Sequence, residues 1–265
     1  MLDIDVSNLS IGRQQVLTSL NLSLEAHQFV AIVGENGAGK STFLNMLAGE
    51  LPYNGSIYLN GRELNSWDAL KLAPIRAVME QHQAAPEGLS VKELVAMGRY
   101  WSQESDADAE QRATQWLSRF DLAPMGERGI ETLSGGEQQR AHLARCLCQL
   151  DKDLPGEQLL LLDEPTSALD VYHQHAVLHE IKSFSQKGNL VLSVMHDLNL
   201  ASLYADQVIV LGNNCIQHVD SPESVFREDI LERTYRTPVH VSSHPSFLKP
   251  MIFTEILADV YLMMT

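Results

Sequence analysis

A glycine-rich octapeptide directly after a short apolar run constrains this chain more than any other feature. Residues 34–41 read G-E-N-G-A-G-K-S, and residues 29–33 before them are continuously apolar, as in a buried strand. Residues 42–48 have a helical pattern, which Gly49 and Pro52 end. A strand, a loop of the form G-x-x-x-x-G-K-[ST] and a helix, in this order, predict a backbone cradle for phosphate groups.

The residues of this loop have distinct expected roles. The glycines let the backbone wrap until successive N–H groups point inward, and the following helix adds the positive end of its dipole. Lys40 is expected to reach the β- and γ-phosphates of a nucleotide, and the Ser41 hydroxyl to bind Mg²⁺. The expected nucleotide contacts of the loop are Gly34, Asn36, Gly37, Gly39, Lys40, Ser41 and Thr42.

Two consecutive acids follow a second apolar run. Residues 159–164 read L-L-L-L-D-E, so Asp163 lies at the carboxyl end of a predicted buried strand. A carboxylate there is suited to a second Mg²⁺ contact near the phosphate loop. Glu164 comes next and is placed to orient or deprotonate an attacking water. Alone, the motif is weak, because buried strands often end in acidic loops; the phosphate loop gives it weight.

The remaining pattern indicates an α/β fold with two additions. Leu2, Ile4 and Val6 alternate with polar residues, and N-G pairs at 54–55 and 60–61 flank a short strand-like run, which predicts antiparallel structure. Residues 83–150 are mostly helical, with S-x-x-E capping boxes at Ser90 and Ser134. Strands and helices then alternate. We expect a P-loop NTPase (RecA-like) parallel-sheet core, an N-terminal antiparallel β-subdomain and an inserted helical subdomain.

Composition excludes several classes of protein. The net charge of −15 argues against nucleic acid as a partner, because binding phosphate backbones needs a basic surface. Three scattered cysteines do not form a disulfide framework. The first residues lack a signal-peptide pattern, and no apolar run is long enough to span a membrane. The apolar stretch 251–264 is broken by Glu255 and Asp259, and we expect it to pack on the domain.

Residues 133–140, L-S-G-G-E-Q-Q-R, carry a family resemblance. They match the signature of ABC transporter ATPases letter for letter, and other family motifs occur in the family's order over residues 1–240. Gln81 corresponds to the Q-loop glutamine, Asp163 and Glu164 to the Walker B acids, and residues 167–170 to the D-loop. His196 corresponds to the switch histidine. The resemblance implies an ATP-binding domain at 1–240, with the helical subdomain at about 83–150, and a C-terminal extension at 241–265.

The resemblance also implies roles for these residues, with ATP and Mg²⁺ as cofactors. Two copies would pack head to tail, so that the signature of one chain completes the ATP site of the other. Glu164 would be the catalytic base, His196 would contact the γ-phosphate, and Gln81 would link Mg²⁺ and the attacking water to a membrane subunit. The implied Mg²⁺ ligands are Ser41, Gln81 and Asp163, and the implied trans contacts to ATP are Ser134, Gly135, Gly136 and Asp170.

Two longer stretches resemble one branch of the family. Residues 163–172 and 196–206 are similar to the ATPases of iron-complex, haem and vitamin B12 importers, and most similar to those of haem (hemin) importers. This implies a dimeric permease, an indirect periplasmic binding protein, and a peripheral position on the cytoplasmic face of the inner membrane. Ferric-siderophore or vitamin B12 import stays an alternative. A soluble ABC ATPase is disfavoured, because the chain has neither long coiled coils nor a second such domain.

Two further features leave alternatives open. Family members usually place an aromatic residue ahead of the phosphate loop to stack on adenine, but residues 10–15 contain none. Ile11 or Arg13 would then cover the base, and the preference for ATP over GTP is left open. His175 and His179 are four residues apart on a predicted helix, a spacing that can bind a metal ion. We favour a solvated helix face there, since no carboxylate-rich zinc motif surrounds them.

Overall fold

The computed structural model describes residues 1–11, 14–81, 87–151 and 157–254. The strands are β1 (Leu2–Ile11), β2 (Gln14–Leu24), β3 (Gln28–Val33), β4 (Tyr53–Leu59), β5 (Arg62–Glu63), β6 (Arg76–Met79), β7 (Leu159–Asp163), β8 (Leu190–Val194), β9 (Gln207–Gly212), β10 (Cys215–Asp220), β11 (Val239–Ser243) and β12 (Pro250–Thr254). The α-helices are α1 (Lys40–Leu47), α2 (Ala69–Leu72), α3 (Val91–Ala96), α4 (Asp106–Arg119), α5 (Gly135–Leu150), α6 (Val171–Gln186), α7 (Leu198–Tyr204), α8 (Pro222–Val225) and α9 (Glu228–Tyr235).

A six-stranded sheet forms the centre of the molecule, in the order β10-β9-β3-β8-β7-β6. Five of its strands are parallel, and β10 pairs antiparallel to β9 at one edge. The apolar runs of β7 and β8 are buried throughout, because helices or a second sheet cover both faces. In β3, Phe29 and Ala31 face one hydrophobic cluster while Val30 and Ile32 face the other. The predicted parallel core is confirmed.

The N-terminal part forms a second, antiparallel sheet in the order β2-β1-β4-β5. Its alternating apolar residues, together with α1, fill the cluster against the central sheet. The N-G pair at 60–61 makes the turn from β4 to β5, as predicted. The pair at 54–55 does not make a turn. Gly55 lies inside β4, where a Cβ atom would sit 2.1 Å from the Asp5 carbonyl oxygen, so the glycine permits close strand approach beside a register shift.

Helices α3, α4 and α5 pack together beside the edge strand β6. Both predicted capping boxes are present. The Ser90 hydroxyl accepts from the Glu93 N–H and the Glu93 carboxylate accepts from the Ser90 N–H, and Ser134 and Glu137 repeat the arrangement at the start of α5. These reciprocal bonds satisfy N–H groups that a helix start otherwise leaves unpaired, which fixes where α3 and α5 begin.

The C-terminal part contains α8, α9 and a hairpin of β11 and β12. The hairpin is attached to α7, because the Asn199 amide donates to the Ile252 carbonyl at 3.1 Å and accepts from the Ile252 N–H at 2.7 Å. Of the apolar stretch 251–264, which we expected to pack on the domain, residues 251–254 belong to β12, and the remainder lies outside the described residues. Within the described part of the chain, no helix is both long enough and apolar enough to cross a membrane.

Candidate nucleotide site

The predicted site residues collect at the carboxyl ends of four neighbouring strands. The glycine-rich loop follows β3, His196 follows β8, Glu164 follows β7 and Gln81 follows β6. Loops at this edge of a parallel sheet are the usual place for ligands. They enclose a cleft of about 550 Å³ lined by Val16, Asn36, Gly37, Gly39, Lys40, Ser41, Thr42, Gln81, Glu164 and His196.

The phosphate loop depends on backbone geometry that side chains would block. Gly34 has φ of 150°, and a Cβ atom on it would lie 2.1 Å from the carbonyl oxygen of Leu211 in β9. The Lys40 ammonium is buried and donates to the carbonyls of Gly34 at 2.8 Å and Glu35 at 3.0 Å. Burial lowers the pKa of Lys40, and the charge of Glu164 opposes that shift. These contacts hold the cation against the backbone of the phosphate loop.

Asp163 and Ser41 form an oxygen-rich pair beside Lys40. The Asp163 carboxylate is buried and hydrogen-bonded to the Ser41 side chain. Its Oδ1 atom has no hydrogen-bond partner among the described residues. Burial raises the pKa of Asp163, against the opposing effects of the Ser41 hydrogen bond and the Lys40 charge. A buried carboxylate oxygen without a partner, next to a hydroxyl, fits the oxygen ligands that Mg²⁺ takes.

Glu164 and His196 are directly hydrogen-bonded. His196 Nε2 lies 2.5 Å from Glu164 Oε1, and only 15% of the Glu164 side chain is exposed. The Glu164 backbone is left-handed, with φ of 52°. A non-glycine residue in that region costs on the order of 1–3 kcal/mol and is held there by its surroundings. This turn directs the carboxylate across the end of the sheet to His196, so the two residues act as one unit at the cleft.

Gln81 and Val16 also line the cleft. Gln81 is exposed two residues beyond the end of β6. Val16, in β2, was not predicted. Its side chain lies over the phosphate loop, 3.1 Å from where a Cβ atom on Gly39 would be. Arg13 and the side chain of Ile11, which were expected to cover the base, lie outside the described residues.

The signature residues do not join the cleft of their own chain. Of the residues lining it that the structure describes, none belongs to the group Ser134, Gly135 and Gly136, or is Asp170. Ser134 and Gly135 are exposed at the start of α5. Asp170 is exposed and caps α6, where its carboxylate accepts from the His173 N–H at 2.9 Å. That hydrogen bond lowers the pKa of Asp170.

Sequence reasoning assigned no role to two residues that contact the site. Gln139 of α5, which lies within the signature stretch 133–140, donates its side-chain amide to the Glu164 carbonyl at 2.8 Å. The Tyr235 phenol at the end of α9 is hydrogen-bonded to the backbone of Gly34. Of the α6 histidines, His175 and His179 are exposed, and His175 Nδ1 lies 2.8 Å from the Tyr204 hydroxyl oxygen. In the described part of the chain, no cluster of metal-binding side chains is found.

Fold and cleft together define an ATPase with a P-loop core. The ABC transporter family matches residues 17–167, and the chain belongs to this family. It is 37% identical over 249 residues to the hemin import ATP-binding protein HmuV of Photobacterium profundum, covering 94% of this chain and 89% of that protein. HmuV of Pseudomonas aeruginosa is 40% identical over 250 residues, covering 93% of this chain and 98% of that protein.

Similarity to solved structures supports the same fold. The ATP-binding cassette MJ0796, solved as a dimer in a post-hydrolysis state with ADP and phosphate, matches with a TM-score of 0.72 and 25% identity. The match covers 83% of this chain and 98% of that one. The expected fold class and the resemblance to ABC transporter ATPases are therefore confirmed.

Proposed function

We propose that this ATPase energises the import of haem through a membrane permease. The observation that carries the proposal is the 40% identity over 93% of the chain to a protein named for hemin import. The ATPase itself never needs to contact the transported molecule, because its chemistry takes place at the nucleotide. The histidines of the chain therefore play no part in the argument for haem.

In the proposed mechanism the loop holds the triphosphate. Lys40, buried at the loop and already bonded to two carbonyls, turns its ammonium toward the β- and γ-phosphates. Bound Mg²⁺ would neutralise charge on the phosphate oxygens. The Ser41 hydroxyl, the Asp163 carboxylate and the Gln81 side chain would hold the ion. The unpartnered Oδ1 atom of Asp163 supports that assignment.

Glu164 is proposed to orient the attacking water and take its proton. The carboxylate lies at the cleft with its Oε1 atom 2.5 Å from His196 Nε2, so the imidazole can hold it in place and reach the γ-phosphate. A group that accepts a proton from water must sit within hydrogen-bond reach of it, and the lining of the cleft supports this for Glu164.

A second copy of the chain is proposed to complete each ATP site. Ser134 and Gly135 are exposed and Gly136 is half-buried at a helix start, where the positive end of the helix dipole favours an anion, and Asp170 is exposed on the D-loop. None of them lines the described cleft of its own chain. A head-to-tail dimer would bring them to the partner's nucleotide. The dimeric state of the related cassette supports this arrangement.

The permease is proposed to dock on a groove between the central sheet and α5. This groove has a volume of about 550 Å³, and its lining includes Trp67, Leu72, Arg76 and Glu80. Glu80 immediately precedes Gln81, so a permease segment bound in this groove would be coupled to movements at the nucleotide cleft. Dimer and permease would work at the cytoplasmic face of the inner membrane, with a periplasmic binding protein delivering the substrate on the other side.

Growth of the source cell tests the substrate. The chromosomal gene is replaced by the Lys40→Ala variant, and growth is measured on haem, on a ferric siderophore and under dependence on vitamin B12. We expect growth to fail on haem alone as iron source. Normal growth on haem, with failure on one of the other nutrients, would contradict haem import and assign the importer to that nutrient.

Purified protein tests the catalytic assignment. The Glu164→Gln variant should still bind ATP, accumulate as a nucleotide-bound dimer, and lose at least about a hundredfold in kcat, the usual size of a general-base contribution. Dimerisation is measured by size-exclusion chromatography with and without Mg²⁺-ATP. A variant that turned over ATP at the wild-type rate would show that another group takes the proton.

A further inference from the structure

Gln139 makes three side-chain hydrogen bonds to the segment that carries Glu164. Its amide nitrogen donates to the Glu164 carbonyl at 2.8 Å and to the Ser167 hydroxyl at 3.2 Å. Its amide oxygen accepts from the Ala168 N–H at 3.1 Å. A terminal amide offers two donors and an acceptor, and these three bonds all go to residues 164–168. The side chain thus spans from α5 to the turn after β7.

The turn that receives these bonds is the strained part of the site. Glu164 has φ of 52°, and its carbonyl also accepts from the N–H of Ser167 at 3.3 Å. Its N–H donates to the Val194 carbonyl in β8 at 3.2 Å. A left-handed backbone at a glutamate persists only where neighbouring groups hold it. Gln139 supplies the shortest of the hydrogen bonds to the Glu164 carbonyl that involve described residues.

The start of α5 also fits closely against the same segment. A Cβ atom on Gly136 would lie 2.8 Å from the Ala168 carbonyl oxygen. Gly136 and Gln139 are three residues apart, so they share one face of the helix. The close approach and the three hydrogen bonds join α5 to residues 164–168 as one packed unit.

We propose that Gln139 is the positioning residue for Glu164. By holding the Glu164 peptide in its left-handed conformation, it keeps the carboxylate beside His196 in the geometry needed to accept a proton from water. Gln139 itself touches neither nucleotide nor water in this assignment. The inference rests on the proposed role of Glu164 in hydrolysis, and it adds that the signature helix sets the geometry of the hydrolytic residue in its own chain.

The test compares three variants of the full chain. Gln139→Met keeps the length of the side chain and removes all three hydrogen bonds. Gln139→Glu keeps an acceptor for the Ala168 N–H but loses the donor to Glu164. Gln158→Met is the matched control, because Gln158 donates to the Pro74 carbonyl at 2.9 Å and to the Leu150 carbonyl, and lies at the opposite end of β7.

We expect both Gln139 variants to lose about tenfold in kcat, the effect of about 1.4 kcal/mol on the transition state, with the KM for ATP changed less than about twofold. Gln158→Met should keep kcat within about twofold of wild type, even if its unfolding temperature falls as far as that of the Gln139 variants. Hydrogen exchange at the Ala168 amide should accelerate in Gln139→Met and stay unchanged in Gln158→Met.

Other outcomes separate the two assignments. Wild-type kcat in both Gln139 variants, or an equal loss of kcat in Gln158→Met, would overturn the positioning role. Full activity of Glu164→Gln in the same assay would instead refute the proposed base, and the positioning role with it. Unchanged exchange at Ala168 in Gln139→Met would refute the contact itself, whatever the activities are.

Discussion

His142 should make the protein sensitive to mild acid. It lies in α5, one turn beyond Gln139, with 5% of its surface exposed. Neither ring nitrogen has a hydrogen-bond partner among the described residues. Burial, assisted by the positive charge of Arg145, lowers the pKa of His142 from 6.5 to about 4. The imidazole is therefore neutral in the folded protein at pH 7, and protonating it favours unfolding.

The sign and size of the effect follow from proton linkage. Between pH 6.5 and pH 4 the unfolded chain binds a proton at this histidine and the folded chain does not, so stability falls as the pH falls. At pH 5 the loss is about 2 kcal/mol, and it approaches about 3 kcal/mol below pH 4. A typical domain has only about 5–15 kcal/mol of total stability, so this single residue matters.

The His142→Leu variant isolates this contribution from the other groups that titrate in acid. Leucine has a similar volume and buries no polar nitrogen, so at pH 7.5 the variant should be as stable as wild type or slightly more stable. Urea unfolding of both proteins is measured from pH 7.5 to 4.5. The advantage of the variant should grow steadily below pH 6.5. A stability difference that stays constant over this range would refute the assignment of a buried neutral histidine.

Two substitutions at the cleft should differ widely in their cost to stability. Gly34→Ala should cost more than about 4 kcal/mol, because its Cβ atom would meet the Leu211 carbonyl oxygen, while Gly37→Ala, with open space around it, should cost only the left-handed strain of about 1–2 kcal/mol. Equal unfolding temperatures for the two would contradict the steric argument. Asp163→Asn should abolish Mg²⁺-dependent hydrolysis yet stabilise the protein by about 1 kcal/mol at pH 7. Because burial raises the pKa of Asp163, that gain in stability should disappear as the pH falls and the carboxyl becomes protonated. A gain in stability that does not change with pH would contradict the destabilising effect of the buried, charged carboxylate.

Local sequence patterns predicted the elements whose determinants are local. The capping boxes at Ser90 and Ser134 mark true helix starts. A capping box is complete within four residues, so the sequence alone contains it. The turn predicted at the N-G pair 54–55 was wrong, because the role of Gly55 is not determined locally. Gly55 is required by the approach of β1, a contact between segments that are distant in the sequence.

The same distinction between local and long-range determinants applies to the candidate site. Motifs that are contiguous in the chain located Lys40, Ser41, Asp163 and Glu164, because each belongs to a loop at the end of an apolar strand. The contact of Gln139 with Glu164 could not be predicted from the sequence, because it depends on the packing of α5 against residues 164–168. The pairing of His196 with Glu164 likewise depends on β7 and β8 being neighbours, which the order of strands in the chain does not specify.

The C-terminal part of the chain extends this reasoning beyond residues 17–167, which the family match covers. The end of α9 contacts the phosphate loop, through the Tyr235 hydrogen bond to Gly34 and an ion pair of Arg236 with Glu35 at 3.3 Å. The hairpin that follows is bonded to α7, which begins two residues after His196. One C-terminal segment therefore contacts both the glycine-rich loop and the helix that follows His196. That loop and His196 both line the cleft, so residues 228–254 are bonded to one wall of the cleft and to the helix that follows the other.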